Sequence, residues 1–211
     1  MSHFDEDIPP GVDFLSEDAA WKWTEEAAAK LGSRIDLFAA FVQAITAHTP
    51  PARDLLELGS GPGFLAEYIL SRCPAVERYR LLDFSQHMLT MSRKRLPAFG
   101  ARVSFLQVDF KQSGWTDKVD AIYDCIVTIQ AVHELRHKRH ALKFYEECGR
   151  LLNEGGLLLV CDRLPQDTSE RDRALFMTEA EQLTVLRQAG FANVAVLLRT
   201  PERVACTASK F

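Results

Sequence analysis

The sequence lacks the features that mark secreted, membrane-spanning and nucleic-acid-binding chains. Its five cysteines contain no C-x-x-C pair and are odd in number, so they predict buried thiols in a reducing compartment rather than a disulfide framework. The acidic first seven residues contain no apolar signal segment, and no apolar run approaches the roughly 20 residues of a membrane span. A net charge of −4 argues against a phosphate backbone as the main partner. These absences predict a cytoplasmic protein with neither a membrane nor a nucleic acid among its partners.

Apolar runs and helical patterns alternate along most of the 211 residues. The runs are continuous rather than alternating in polarity, as expected for a sheet buried on both faces. Strands joined by single helices imply a parallel sheet, and two closely spaced final runs predict a hairpin with an antiparallel strand. Strands are predicted over residues 54–58, 80–83, 103–108, 123–129, 157–161, 194–198 and 204–209. Helices are predicted over 16–30, 35–48, 64–72, 85–96, 136–152 and 178–188, with a turn at 153–156 and a loop at 163–177.

The stretch from Asp54 to Leu65 is a strand, a carboxylate at Glu57, glycines at 59, 61 and 63, and the start of a helix. Glycine at this density permits a positive φ or the close approach of a ligand. A strand–turn–helix junction also directs unpaired helix N–H groups into a crevice, so the stretch predicts a ligand site. A nicotinamide-binding turn has the pattern G-x-G-x-x-G/A, whereas Phe64 occupies the sixth position here. An oxidoreductase interpretation is therefore weakened.

Polar and aromatic residues follow the next predicted strands at the same edge of the sheet. Asp83-Phe84 ends the second strand, Asp109-Phe110 follows the third, and Gln130-Ala131 follows the fourth. Open α/β sheets bind ligands at this carboxyl edge. With the glycine turn before them, and with the segment 148–159 and the closing hairpin after them, these motifs resemble the class I S-adenosylmethionine-dependent methyltransferases.

The resemblance implies a fold, a cofactor and a set of cofactor contacts. The fold is α/β and doubly wound: a mostly parallel seven-stranded sheet in the order 3-2-1-4-5-7-6, with the last strand antiparallel and helices on both faces. The cofactor is S-adenosyl-L-methionine, which leaves as S-adenosyl-L-homocysteine. Asp83 corresponds to the carboxylate that binds the ribose, while Asp109 accepts from the adenine amine and Phe110 packs on the ring. The expected cofactor-binding residues are Glu57, Gly59, Ser60, Gly61, Gly63, Asp83, Phe84, Met88, Asp109, Phe110, Gln130 and Ala131.

The resemblance also implies a methyl acceptor, which no motif identifies. The absence of an Asn-Pro-Pro-Tyr type motif after the fourth strand and the short segment at 163–177 favour a small molecule. We expect residues 1–50 to form an N-terminal helical cap over a Rossmann-like domain at 51–211. Trp21 and Trp23 are expected either to cover the acceptor pocket or to pack against other apolar side chains. His133 is the catalytic candidate, to orient or deprotonate the acceptor; a packing or capping role is the alternative. The chain is expected to be a monomer or a homodimer.

Two alternative functions remain open at this point. His133-Glu134-Leu135-Arg136-His137 matches the H-E-x-x-H pattern of zinc hydrolases, which needs both histidines on one helical face. The basic residues around His137 and the lack of a clear third ligand argue against it, so no metal is expected. The other alternative is a module that binds S-adenosylmethionine without catalysing transfer.

Overall fold

A seven-stranded sheet runs through the centre of the computed structural model, which describes residues 6–211. In chain order its strands are β1 (Asp54–Leu58), β2 (Arg78–Asp83), β3 (Val103–Gln107), β4 (Tyr123–Ile129), β5 (Leu152–Arg163), β6 (Phe191–Arg199) and β7 (Arg203–Lys210). They are arranged as β3-β2-β1-β4-β5-β7-β6. The first five pair in parallel, and β7 runs antiparallel to both β5 and β6. The predicted strand order and antiparallel last strand are confirmed.

Helices cover both faces of this sheet and define two apolar cores. Because successive strand side chains point to opposite faces, Leu55 contributes to one core and Leu56 to the other. Helices α2 (Ile35–Ala47), α3 (Phe64–Leu70) and α4 (Gln86–Arg95) pack on the first face, and α5 (Ala141–Arg150) and α7 (Glu179–Gln188) pack on the second. The predicted arrangement of helices on both faces is confirmed.

The N-terminal helix α1 (Glu17–Ala29) packs on α4, and its Ala27 belongs to the core on the first face of the sheet. Ser16 caps it by accepting from the Ala19 backbone N–H at 3.4 Å, and Ala20 packs against Met88 and Met91. The Ser85 hydroxyl, at the start of α4, donates to the Phe14 carbonyl at 2.6 Å. Helix α1 and the chain before it are therefore held beside the carboxyl end of β2.

The helix predicted over 136–152 is wrong at its start. A 3-10 turn, Val132–Leu135, is followed by Arg136 in the left-handed region, with φ of 68°, and α5 begins only at Ala141. The Ile8 backbone N–H donates to the Arg136 carbonyl at 2.9 Å, and the Arg136 Nε donates back to the Ile8 carbonyl at 2.8 Å. Contacts with a distant segment therefore interrupt the helical pattern.

Two further local predictions differ from the structure. The predicted loop at 163–177 contains a short helix, α6 (Glu170–Leu175), which Ser169 caps by accepting from the Asp172 N–H. The predicted turn at 153–156 is an irregular part of β5, where the register with β4 shifts and Gly155 has φ of 74°. The helix predicted from Thr178 is confirmed, including its capping box with Glu181.

The five cysteine thiols are free and buried, at Cys73, Cys125, Cys148, Cys161 and Cys206. Burial raises the pKa of each thiol. Over residues 6–211, none of the helices is long and apolar enough to cross a bilayer.

Candidate active site

A cavity of about 590 Å³ opens at the carboxyl edge of the central strands. Its walls come from the glycine turn after β1, the ends of β2, β4 and β5, the start of β7, and the segment from Phe14 to Phe38. Of the thirteen residues predicted for cofactor binding and catalysis, the cavity brings together eleven, namely Glu57, Gly59, Ser60, Gly61, Asp83, Phe84, Met88, Phe110, Gln130, Ala131 and His133.

Gly63 and Asp109 do not line this cavity. Gly63 is the residue that precedes α3, and its backbone faces Ser92 of α4. Asp109 accepts from the Lys111 backbone N–H at 2.9 Å and faces a second cavity of about 370 Å³. Phe110 lines both cavities, so its ring lies between them.

The glycine turn approaches the loop after β4 too closely for a side chain. Gly59 has φ of 66°, and a Cβ on it would lie 2.5 Å from the Ala131 Cβ. Its backbone N–H donates to the Leu82 carbonyl at 2.9 Å, which fixes the turn to β2. Glycine is required here both for the backbone conformation and for the close approach.

The Asp83 carboxylate connects the glycine turn to the start of α4. One oxygen accepts from the Gly61 N–H and the other from the Ser85 N–H, each at 2.8 Å. Burial raises the pKa of Asp83 to about 6, although these backbone hydrogen bonds favour the ionised form. A carboxylate has about four lone-pair sites, so the two oxygens retain capacity for a ligand that donates hydroxyl hydrogens.

Glu57 is a buried carboxyl group at the cavity wall. It accepts from the Tyr79 hydroxyl at 2.8 Å. Burial raises its pKa to about 8, and the nearby Asp83 charge also raises it, against the hydrogen bond from Tyr79, which lowers it. At pH 7 the group is therefore mostly protonated.

His133 and Asp162 form a hydrogen-bonded pair at the edge of the cavity. His133 Nδ1 lies 2.7 Å from one Asp162 oxygen, and the His133 backbone N–H donates to the other at 2.8 Å. Burial lowers the pKa of His133, but the Asp162 carboxylate outweighs burial, and the pKa is raised above its usual 6.5. With Nδ1–H donating to Asp162, Nε2 is the nitrogen left to accept a proton, and it faces a Glu134 carboxylate oxygen at 3.4 Å.

Asp162 was missed by sequence reasoning, although a signal existed. It directly follows Cys161, at the carboxyl end of the strand predicted over 157–161. Asp83 has the equivalent position at the carboxyl end of the strand predicted over 80–83. The arginines of the cavity, Arg34, Arg163 and Arg203, gave no such signal, because only the antiparallel return of β7 brings Arg203 near the other two.

The histidines of the H-E-x-x-H pattern do not share a helical face. Arg136 lies between them in the left-handed region, and His137 has extended backbone with φ of −161°. The His137 Nδ1 accepts from the Arg139 N–H at 3.0 Å, whereas His133 is paired with Asp162. The described part of the chain holds no group of three or more side chains suited to a metal ion. The zinc-hydrolase geometry is therefore not formed.

The two tryptophans of α1 have different surroundings. Trp23 lines the cavity, with the Phe14 ring edge-on at 5.5 Å. Trp21 is 40% exposed and lies outside the cavity, where the Lys94 ammonium is 5.4 Å from its ring centre. Phe14 and Phe38 also line the cavity, so this side of it is aromatic.

Comparisons with known proteins agree with this geometry. Residues 55–156 match a family described as a methyltransferase domain. A probable S-adenosylmethionine-dependent methyltransferase of Mycobacterium tuberculosis is 30% identical over 152 residues, which are 69% of this chain and 51% of that protein. An O-methyltransferase family protein from Burkholderia thailandensis superposes with a TM-score of 0.68 at 16% identity, covering 93% of this chain and 63% of that chain. Human N-acetylserotonin methyltransferase, in complex with S-adenosylmethionine, gives a TM-score of 0.70 at 16% identity, covering 93% and 57%.

The matched domain and the strand order identify the chain as a member of the class I S-adenosylmethionine-dependent methyltransferases. The relative is named as S-adenosylmethionine-dependent, and the human neighbour was solved with S-adenosylmethionine bound. The chain spans about half the length of the curated relative it matches.

Proposed function

We propose that this chain transfers a methyl group from S-adenosylmethionine to a small molecule held in the cavity that the segment from Phe14 to Phe38 borders. The observation that carries the proposal is the Asp83 carboxylate, which joins the glycine turn to α4 at the cavity wall. When bound, the cofactor supplies an electrophilic methyl on a sulfonium, which an acceptor displaces in line. Positioning of the two reactants can then provide up to about 7–11 kcal/mol of the barrier reduction.

The protein groups at the cavity fit that cofactor. The approach of Gly59 to Ala131 leaves no room for a side chain at that point of the turn, and Asp83 can accept from both ribose hydroxyls. We retain all twelve predicted residues as the proposed cofactor-binding set. Asp109 is assigned to the adenine end because Phe110 borders both cavities, so a ligand occupying both passes its ring. Gly63 would act indirectly, by starting α3 beneath the turn.

Residues 6–50 are proposed to close the acceptor side of the cavity, and residues 1–5 of the expected cap lie outside the described residues. Phe14, Trp23 and Phe38 line it from this segment, although they lie far from the glycine turn in sequence. Enclosure by apolar rings favours a small molecule over a polymer, because a polymer requires an open groove.

His133 is proposed as the general base, positioned by Asp162. The carboxylate holds Nδ1–H, so that Nε2 can accept a proton from an acceptor hydroxyl or amine. His133 works as a base only when neutral, so activity should rise with pH through its raised pKa.

Calorimetry with S-adenosylhomocysteine tests the cofactor assignment. Asp83→Ala should weaken binding by at least about 10- to 100-fold, because each hydrogen bond to a charged group contributes roughly 1.5–3 kcal/mol. Asp120→Ala, which removes an exposed carboxylate paired with Arg80, should leave the affinity unchanged. Equal affinity of the wild-type chain and Asp83→Ala would contradict the ribose assignment.

The role of His133 as general base is tested by measuring kinetics with acceptors found by metabolite screening. His133→Asn should lower kcat by about 10²- to 10⁴-fold while S-adenosylhomocysteine affinity stays constant. In Asp162→Asn the rising limb of the pH profile should move to lower pH, because burial still lowers the pKa of His133 and, of the two carboxylates that raise it, only Glu134 remains. An unchanged kcat in His133→Asn would assign the residue to packing. Cofactor binding without turnover of any acceptor would support the non-catalytic alternative.

A further inference from the structure

The acceptor side of the cavity carries an excess of positive charge. Lys30, Arg34, Arg163 and Arg203 all line it. Two carboxylates lie on the same side. Glu134 is paired with Arg136 at 3.0 Å, and Glu202, 60% exposed, is paired with Arg203 at 3.2 Å. Within residues 6–211, neither Arg34, Arg163 nor Lys30 forms an ion pair. The protein therefore leaves several cations here without a carboxylate of their own.

Two of these arginines face each other across neighbouring strands. Arg163 of β5 is directly opposite Arg203 of β7 in the antiparallel register, so their side chains stand on the same face of the sheet. Like charges in directly opposite positions destabilise a sheet. Arg163 also stacks on the Phe176 ring at 5.0 Å, which holds it near the cavity without neutralising it.

Arg34 joins this group from the N-terminal segment. The nearby Arg203 guanidinium and, above all, burial lower the pKa of Arg34. The Nε atoms of both Arg34 and Arg203 are buried and have no hydrogen-bond acceptor among the described residues. Buried N–H groups of a cation are costly when unsatisfied, so two guanidiniums that line the cavity each carry an unmet donor.

We propose that the methyl acceptor is an organic anion whose carboxylate or phosphate oxygens bind to Arg34 and Arg203, with Arg163 at the rim. A guanidinium offers a planar set of donors that suits such oxygens. The positive charge of Arg163 lowers the pKa of His133, so the two side chains are near each other. An anionic group held at Arg163 would therefore lie close to the proposed base. This inference rests on the proposed methyl transfer and defines the class of its acceptor.

The carboxylate in the methionine part of the cofactor is a second anion whose oxygens suit the same arginines. The two sources predict different losses on substitution. If the arginines bind the acceptor, their removal leaves S-adenosylhomocysteine affinity unchanged. If they bind the cofactor, S-adenosylhomocysteine affinity falls, whereas 5′-methylthioadenosine, which lacks the amino acid part, binds as before.

The test measures thermal shifts of the complex with saturating S-adenosylhomocysteine. The probes are acetate, benzoate, sulfate and phosphate at constant ionic strength, with acetamide and benzamide as neutral controls. At least one anion should give a saturable rise in the wild-type melting temperature, and neither neutral probe should. Arg203→Met and Arg34→Met should each weaken the effective anion by about tenfold or more, and Arg150→Met, an exposed arginine away from the cavity, should not.

Three outcomes overturn the proposal: no anion of the panel shifts the wild-type complex, both arginine variants respond like the wild-type chain, or either variant loses S-adenosylhomocysteine but keeps 5′-methylthioadenosine. Retained S-adenosylhomocysteine affinity shows that a variant is folded. Because the two arginines lie on different elements, the test still holds if one of the two variants fails to fold.

Failure of the wild-type chain to bind S-adenosylhomocysteine would instead overturn the proposed function. Once acceptors are found, free acids should be methylated at least tenfold faster than their neutral esters or amides, about 1.4 kcal/mol in transition-state free energy.

Discussion

Gly59 shows how one residue determines the shape of the proposed cofactor site. Its φ of 66° is unfavourable for any residue with a side chain, and the Ala131 Cβ occupies the space such a side chain would need. Gly155 has a similar φ of 74° but open space around it. Substitution of Gly155 therefore tests the cost of the backbone conformation alone, whereas substitution of Gly59 adds the cost of the close contact.

Gly59→Ala should disrupt cofactor binding more than it disrupts folding. Adopting the left-handed region costs about 1–3 kcal/mol, and the 2.5 Å contact must also push the turn away from Ala131. We expect S-adenosylhomocysteine affinity, measured by calorimetry, to fall by more than about tenfold. Gly155→Ala should lose similar stability and keep its affinity. Equal affinities in the two variants would show that the contact with Ala131 does not shape the site.

At the residue level, the sequence predicted the groups that follow strands along one edge and missed those that depend on tertiary neighbours. The glycine turn and Asp83 were recognisable from spacing alone, and the cavity contains them. Arg203 follows the hairpin turn and has no local pattern, since its surroundings depend on the pairing of β7 with β5. The role of Asp109 stays a prediction, because its side chain faces the neighbouring cavity.

Among the elements, the segment before α1 is attached at residues 8 and 9 by one buried side chain, in addition to the Ser85 bond to the Phe14 carbonyl. Arg136 is 8% exposed, and its guanidinium donates to the carbonyls of Ile8 and Pro9 and to Glu134. Its own carbonyl accepts from the Ile8 N–H. The N-terminal segment is thereby attached to the loop that carries His133.

Arg136→Met should release this segment without unfolding the sheet. Loss of hydrogen bonds from a charged group should cost about 1.5–3 kcal/mol in the free energy of unfolding. Hydrogen exchange of the backbone amides in residues 6–14 should accelerate, and exchange in β1 and β4 should not. Lys143→Met, which removes a 69% exposed cation of α5, is the matched control. Unchanged exchange in Arg136→Met would show that other contacts hold the segment.

Element positions were predictable wherever local signals determine them. The capping box at Thr178, the apolar runs of β1 and β4 and the hairpin before β7 depend on adjacent residues. The interruption at Arg136 depends on hydrogen bonds to residue 8, more than a hundred positions away. Helix α6 has only six residues, too few for an apolar period to emerge from the pattern.

For the molecule as a whole, the buried carboxyl group of Glu57 makes stability depend on pH. Its pKa in the folded chain is about 8, compared with an ordinary 4.5. Between these values the unfolded chain has released a proton that the folded chain still holds. The free energy of unfolding contributed by this group therefore falls as pH rises through this window.

Glu57→Gln should remove that dependence while keeping an acceptor for the Tyr79 hydroxyl. Between about pH 5 and pH 8, the stability of the wild-type chain should fall relative to the variant by up to about 1.4 kcal/mol per pH unit. Urea unfolding at pH 5, 6, 7 and 8 measures the difference. Glu77→Gln, at an exposed position, should follow the wild-type chain. Parallel curves for the wild-type chain and Glu57→Gln would show that Glu57 ionises normally in the folded state.

The distribution of the cysteines gives each face of the sheet its own chemical reporter. Cys148 and Cys206 belong to the core beneath α5 and α7, whereas Cys73, Cys125 and Cys161 belong to the core beneath α2, α3 and α4. Alkylating reagents react with the thiolate, which burial disfavours at all five positions. Modification of a given cysteine therefore requires a local opening of the core to which it belongs. The alkylation rates of the two sets of cysteines report separately on the opening of the two faces of the sheet.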